Sequence, residues 1–226
     1  WDGEVLYQNQ RLENYAQALQ ELQNSDLCFH CDCTRSKIKA SGPIYDGTCR
    51  HRTPPPAHGY AVRIKTRNTL IEFEDLVQGV YGQNLGTEIG DFVILRKDKL
   101  FAYQLAVVVD DEYQGITHVV RGFDLLDSTP RQVYLQQLLN YSTPRYGHIP
   151  VIVNASGDKL SKQSFAPSVD VENSSHLIYQ CLILLGQAPP ANLLNSDPHT
   201  QLRWGIAHWD VQAVPKLAKL PQELSK

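Results

Sequence analysis

Methionine is absent from all 226 residues, the first position included. A chain that opens Trp1-Asp2-Gly3-Glu4 and holds no methionine reads as a fragment or a processed form of a longer protein. No apolar run approaches about 18 residues, so no membrane-spanning helix is expected. The opening residues have neither a basic stretch nor an apolar one after it, so no secretory signal peptide is expected among them. A marked excess of either charge is missing too: 21 Lys and Arg stand against 24 Asp and Glu, a formal net charge of −3. A protein that coats a duplex is usually strongly basic, so any nucleic-acid contact must be a local patch. Internal repeats and low-complexity tracts are missing as well. What remains is ordinary globular material, 42% hydrophobic and 20% charged, enough for one large domain or two small ones.

Periodicity organises that material. Leu12, Tyr15, Leu19 and Leu22 fall at helical spacing and predict a helix over 9–23, ended by Asn24-Ser25-Asp26. Residues 28–52, rich in Cys, Gly, His and Arg, predict a loop-rich knot, and Thr53-Pro54-Pro55-Pro56 a stiff connector. Short strands follow at Ala61–Ile64, half exposed by its alternation, at Ile71–Asp75 and at Phe92–Leu95. The apolar run 101–109 suits a buried strand or a buried helical turn, and periodicity does not decide between them. Ile116–Val120 reads as a buried strand. After it, Ser128-Thr129-Pro130 opens a helix with a capping hydroxyl, an early Pro and an apolar face of Leu135, Leu138 and Leu139. Strand followed by helix is the grammar of a βαβ unit with a parallel sheet. Val151–Val153 is a further strand, followed by the polar turn Asn154-Ala155-Ser156-Gly157-Asp158. From Ser174 a helical stripe of Leu177, Ile178, Cys181, Leu182 and Leu185 appears, with Cys181 read as packing, and 189–198 is a linker between helices. His58, His118, His148, His176, His199 and His208 are scattered and receive no role.

Five cysteines are present, and Cys28, Cys31 and Cys33 crowd into six residues. Without a secretory context such clustering points to a metal rather than to disulfides, and to the reducing cytosol. Cys31-Asp32-Cys33 and Cys49, with Gly42, Pro43 and Gly47 between them to fold the chain back, supply three thiolates. Zinc needs four ligands in a tetrahedron. Tyr45, His51, His30 and Cys28 are the candidates for the fourth, and chemistry favours His51 or a further thiolate because a phenol with a pKa near ~10 gives up its proton reluctantly. Packing of free cysteines as small hydrophobes is the weaker reading of three thiols in so polar a stretch. Arg35, Lys37, Lys39, Arg50 and Arg52 outnumber Asp32 and Asp46 in the same segment, and Arg63, Lys65 and Arg67 extend it into a candidate phosphate-binding patch. A solvated charged surface would look the same.

Lys159-Leu160-Ser161-Lys162-Gln163 follows a strand and a Gly-containing turn. Two ammonium groups on such a loop suit a polyphosphate and the charge that develops as pyrophosphate leaves. A lone pair of lysines is weak; its position after a βαβ unit strengthens it.

Taken together, these segments resemble glutamyl-tRNA synthetases, in order: Tyr45-Asp46-Gly47-x-Cys49-Arg50, the run Ala102 to Asp111, Ile116-Thr117-His118-Val119-Val120-Arg121-Gly122-x-Asp124-Leu125 and Lys159-Leu160-Ser161-Lys162. Trp1-Asp2-Gly3 with Gln8, Arg11 and Tyr15 fits the same family, so the resemblance runs from residue 1 to at least 165, and it is most similar to the family's glutamyl-Q branch. The combination is specific where each motif alone is not.

The resemblance implies an α/β fold, the second half of a class I Rossmann-like catalytic domain with a zinc-containing insert and a short helical C-terminal region. Its boundaries would be 1–24 for the end of the first Rossmann half, 25–115 for the insert, 116–170 for the second half with its KMSKS-like loop, and 171–226 for the helical region. It implies ATP, with Mg(2+), as substrate for activation of L-glutamate, then transfer to tRNA. In the glutamyl-Q branch the acceptor is the queuosine base of tRNA(Asp). Tyr103 and Arg121 match glutamate-binding positions, Lys162 the ATP-contacting lysine, and Cys31, Cys33, Tyr45 and Cys49 the zinc ligands. His51 completes a Cys-x-His pair found in some true glutamyl-tRNA synthetases, so the fourth ligand stays open between Tyr45 and His51. The loop ends in Gln163 where others have Ser or Arg. The family's HIGH-like signature precedes the Trp-Asp-Gly segment and is not among these residues, so activity is expected of the parent protein and little of this chain alone. A cytoplasmic monomer is expected. The rivals are a discriminating glutamyl-tRNA synthetase and a noncatalytic zinc/RNA-binding module.

Overall fold

The structure is a computed structural model describing residues 3–161, 166 and 168–221. It divides into two compact units: Trp1–Phe73, Tyr81–Thr117 and Asp127–Pro144 form the first, and Glu74–Val80, His118–Leu126 and Arg145–Lys226 the second.

In the first unit, helix α1 (Leu12–Asn24) buries Tyr15, Ala18, Leu19 and Leu22, one stripe at helical spacing, while Leu12 is 51% exposed. Asp26, in the left-handed region at φ 53°, turns the chain so that Leu27 N–H donates to the Leu22 carbonyl. Strand β1 (Cys28–Cys31) follows, then the short helix α2 (Arg35–Ala40), begun by Thr34 Oγ1 accepting from Lys37 N–H at 3.2 Å. The knot expected over 28–52 therefore contains regular structure. Strand β2 (Ala61–Ile64) pairs antiparallel with β1, Cys28 opposite Ile64 and Cys31 opposite Ala61. All four β2 residues are buried, not half exposed, because Arg63 is satisfied inside by Nη1 donating to the Asp91 carbonyl at 2.6 Å. Strand β3 (Leu70–Asp75) runs to β4 (Gly79–Asn84), and β5 (Val93–Leu95) joins β2. The run 101–109 resolves as helix α3 (Tyr103–Tyr113), which buries Leu105, Ala106, Val108, Val109 and Asp110. Helix α4 (Thr129–Leu139) starts with Pro130 in its first turn and buries Leu135 and Leu139 together with Gln132 and Gln136. Ser128 makes no cap bond; its hydroxyl accepts from Gln104 Nε2 at 3.0 Å instead.

One buried ionic cluster fixes α1 against α3. The Asp110 carboxylate, 4% exposed, accepts from Arg11 Nε at 2.6 Å, Tyr15 Oη at 2.7 Å and Gln8 Nε2 at 3.0 Å.

In the second unit, β6 (His118–Gly122) and β7 (Arg145–Ile149) pair in parallel, His118 beside Arg145 and Gly122 beside Ile149, with α4 in the connection as the βαβ grammar predicts. Asp75, at the end of β3, pairs with Tyr146 of β7. The strand expected at 116–120 begins two residues later and is not buried: Val120 is 64% exposed. Strand β8 (Val151–Val153) pairs in parallel with β9 (Lys219–Pro221), an unforeseen partner. Helices α5 (Ser174–Leu184) and α6 (Pro198–His208) pack together, α6 capped by Asp197 accepting from Thr200 N–H. Cys181 is exposed rather than packed: it lines an open apolar groove of about 410 Å³ with Leu177, Leu185, Ile206 and Trp209.

Replacing Asp110 with Ala leaves the Arg11 guanidinium buried without its carboxylate, and the expected loss is about 3–5 kcal/mol by urea unfolding. The Tyr15 hydroxyl is pushed up to about 12, first by burial and then by Asp110. A pKa raised on folding stabilises below its unfolded value near ~10 and is lost as pH climbs past it, so stability is expected to fall between about pH 10 and 12. Tyr15→Phe should flatten that part of the pH–stability curve.

Candidate functional site

The thiols converge in the first unit. β1 delivers Cys31, Asp32 carries the chain on to Cys33, and after α2 the turns at Gly42 (φ 126°) and Gly47 (φ 76°) bring Cys49 back. The three sulfur atoms lie within 4.8 Å of one another, all buried. Cys33 and Cys49 are 3.5 Å apart. A tetrahedron of thiolates at ~2.3 Å from an ion has edges of about 3.8 Å, so the donor set is spaced for a soft metal. Beside it lies the Tyr45 hydroxyl, which accepts from Cys31 Sγ at 3.5 Å and from Cys49 N–H at 2.9 Å. Burial raises the Tyr45 pKa, so the phenol keeps its proton in this arrangement. Burial also pushes Cys31 up, but the bonds from Tyr45 and Arg63 outweigh it and hold that thiol below its ordinary value. Cys33, pushed up by burial and by its two thiol neighbours, reaches about 11. Among the other candidates, His51 is exposed, His30 stacks on Tyr60 with ring centres 3.9 Å apart, and Cys28 stands outside the cluster.

The basic patch is smaller than its sequence suggests. Arg50 and Asp91 form an ion pair, with the Asp91 side chain nearly fully buried, and the Arg63 guanidinium lies 4.1 Å over the Tyr45 ring. Arg52 pairs with Asp32 and Lys65 with Asp26. Arg35, Lys37, Lys39 and Arg67 are left exposed. A cleft of about 760 Å³, lined by Ile44, Asp46, His51, Asn68 and Thr87 among others, opens beside the knot.

Tyr103 is the first residue of α3, in the first unit, and is 46% exposed. Arg121 and the lysine segment belong to the second unit. Arg121 stands near the carboxyl end of β6, and Asp124 follows just beyond it. Carboxyl ends of parallel strands are where open α/β sheets bind ligands. Space is tight at Gly122: a methyl group there would sit 3.1 Å from Val151 Cγ1 and 2.5 Å from Asp124 Oδ1, so the Asp124 side chain would have to turn away. The turn after β8 closes on Asn154 Oδ1, which accepts from Ser156 and Asp158 N–H. Leu160 N–H returns to the Ile152 carbonyl, the Ser161 carbonyl accepts from Ala166 N–H, and Lys159 Nζ pairs with Asp124 at 2.6 Å. Asp124, just beyond the end of β6, thus meets Lys159 of the turn after β8. Lys162 and Gln163 lie outside the described residues.

Sequence reasoning missed a buried partner of Arg121. Its Nε donates to His148 Nε2 at 3.1 Å, and the other ring nitrogen of His148 meets Asp75 Oδ2 at 2.5 Å, with both side chains fully buried. An alternating strand with a histidine facing inward was the only signal available.

The family description "tRNA synthetases class I (E and Q), catalytic domain" matches residues 1–187. The chain is 46% identical to glutamyl-Q tRNA(Asp) synthetase of Pseudomonas aeruginosa, over 99% of this chain and 76% of that one. It is 45% identical to the protein of that name from Thiobacillus denitrificans, over 95% of this chain and 73% of that one. Among solved structures it is similar to a glutamate tRNA ligase from Elizabethkingia meningosepticum CCUG26117 in complex with its amino acid. The TM-score is 0.73 at 21% identity, over 96% of this chain and 52% of that one. The chain therefore spans about half the length of that solved protein, and at such identity the likeness speaks to fold. No helix among the described residues is long and apolar enough to cross a membrane.

A zinc titration should saturate near one equivalent and release protons as the thiols ionise. Cys33→Ser and Cys49→Ser, dialysed against zinc and assayed by elemental analysis, are expected to retain none; full retention by both would remove the cluster as a metal site.

Proposed function

The chain belongs to the class I tRNA synthetase (E and Q) catalytic-domain family, and from that membership we propose that its protein activates glutamate with ATP and transfers it to the queuosine base of tRNA(Asp). The observation that carries the reading is a guanidinium, Arg121, near the carboxyl end of parallel strand β6. The identity to proteins named glutamyl-Q tRNA(Asp) synthetase supports the choice of acceptor.

The roles follow from the chemistry of each group. Arg121 pairs with a carboxylate of L-glutamate through two parallel hydrogen bonds, and the Tyr103 hydroxyl orients it. A glutamate carboxylate oxygen attacks the α-phosphorus of ATP, forming the acyl–phosphate bond, and the bond to the bridging oxygen breaks to release pyrophosphate with its Mg(2+). Lys162 and Lys159, in the loop 159–163, stabilise the leaving charge, and Leu160, Ser161 and Gln163 complete that loop. Cys31, Cys33 and Cys49 would hold Zn(2+), with Tyr45, once its proton is displaced by the ion, or His51 as the fourth donor; the part of the ion would be structural, tying the insert together. The insert spans 25–115, the second Rossmann half 116–170 and the helical region 171–226, in a cytoplasmic monomer.

The test is glutamate-dependent ATP–pyrophosphate exchange by the full-length protein, with and without tRNA. Exchange without tRNA is the expected result, and Arg121→Ala should raise the glutamate KM on the order of a hundredfold. Exchange only with tRNA favours a discriminating glutamyl-tRNA synthetase. No exchange in either condition leaves a zinc/RNA-binding module.

A further inference from the structure

We propose that His148 and Asp75 are positioning residues for Arg121: a buried carboxylate–imidazole pair that sets the direction of the glutamate-binding guanidinium. The proposal rests on the reading of Arg121 as the glutamate-binding arginine.

The tautomer of His148 follows from its two partners. Asp75 Oδ1 accepts three backbone N–H bonds, from Val77 at 3.0 Å, Gln78 at 2.9 Å and His148 at 3.0 Å. Burial pushes the Asp75 pKa up, but the His148 ring and these N–H groups more than offset it, and the carboxyl titrates below its ordinary range. It is therefore an anion and only an acceptor, so His148 Nδ1 carries a proton toward Oδ2. On the other side, Arg121 Nε is only a donor. His148 Nε2 must present its lone pair to it. The tautomer with its proton on Nδ1 meets both demands, and the opposite tautomer meets neither.

The ring cannot swing away. The Asp75 and His148 side chains have no exposed surface, and Gln78 Nε2 donates to the His148 carbonyl at 2.7 Å. The Tyr146 ring, two residues earlier on β7, lies 6.2 Å from the imidazole at 14° and 5.4 Å from the Arg121 guanidinium carbon. Nε is the guanidinium nitrogen nearest the stem, so the bond from Nε to His148, together with the longer one from Nη2 to the Leu125 carbonyl at 3.4 Å, fixes the plane and direction of the fork. Partners of this kind act on affinity through the orientation of the group they hold.

Two substitutions separate this role from mere core packing. In His148→Gln the side-chain amide reaches the position of Nε2 and offers Arg121 an acceptor. In His148→Asn the amide reaches only the position of Nδ1, keeping the bond to Asp75 and removing the acceptor that residue 148 offers to Arg121 Nε. With the full-length protein in pyrophosphate exchange, His148→Asn should raise the glutamate KM about tenfold or more, with the ATP KM within about twofold of the parent. His148→Gln should recover most of that loss. Equal effects of both variants on the glutamate KM, ATP KM and kcat would assign His148 to packing and overturn the proposal. So would a parental glutamate KM in both, if Arg121→Ala raises it. A parental glutamate KM in Arg121→Ala itself would instead sink the reading of Arg121 on which the proposal stands.

Discussion

A carboxylate with no exposed side-chain surface is tolerable only if its oxygens are answered by donors, and Asp75 is answered four times: by three backbone N–H groups and by the ring of His148. Much of the second unit's order depends on that condition. The N–H groups of Val77 and Gln78 turn the chain after β3, the N–H of His148 ties β7 to it, and the imidazole carries the constraint to β6 through Arg121. The polar residues at the strand ends are thus held by a core that is itself polar. The first unit repeats the device with Asp110, which receives an arginine, a tyrosine and a glutamine from or beside α1. In both places side-chain geometry is specified by hydrogen-bond direction, which is sharper than apolar contact.

The thiol cluster works on another scale. Its members are separated by two and sixteen positions and brought together by a strand end, a short helix and two left-handed glycines. Surrounding charges bias it: Arg63 and the Tyr45 hydroxyl help Cys31 to ionise, while burial resists ionisation at Cys33. Arginines that looked like a contact surface for phosphate are in part internal supports of this knot, Arg50 through Asp91 and Arg63 over Tyr45.

What was legible in the sequence was local. α1 could be read because its buried positions make one clean stripe, and the thiol cluster because Cys31 and Cys33 are neighbours and Cys49 is a short loop away. The run 101–109 was ambiguous because three consecutive valines favour a strand by propensity, whereas in the fold Leu105, Ala106, Val108 and Val109 make a buried stripe at helical spacing. β4 escaped notice because Gly79 and Gly82 dilute its pattern, and β9 because a three-residue strand ending in Pro221 carries no periodicity. The support for Arg121 was out of reach: Asp75 and His148 are 73 positions apart, and no spacing rule joins them. The motif containing Arg121 was readable, whereas the residues that aim it were not.

The parallel pairing of β8 with β9 carries a consequence for the order in which the protein can assemble. Val151–Val153 leads through the turn at 154–158 toward Lys159, yet its partner strand is Lys219–Pro221, with α5 and α6 lying between them in the chain. At roughly 5–20 residues per second, a ribosome needs several seconds to travel from one to the other. During that interval the base of the loop lacks its edge, so the strand–turn that presents Lys159 matures late, after α5 and α6 have emerged. Birth order and spatial order are inverted at this point, and the loop acquires its final support only when almost all of the second unit has left the ribosome.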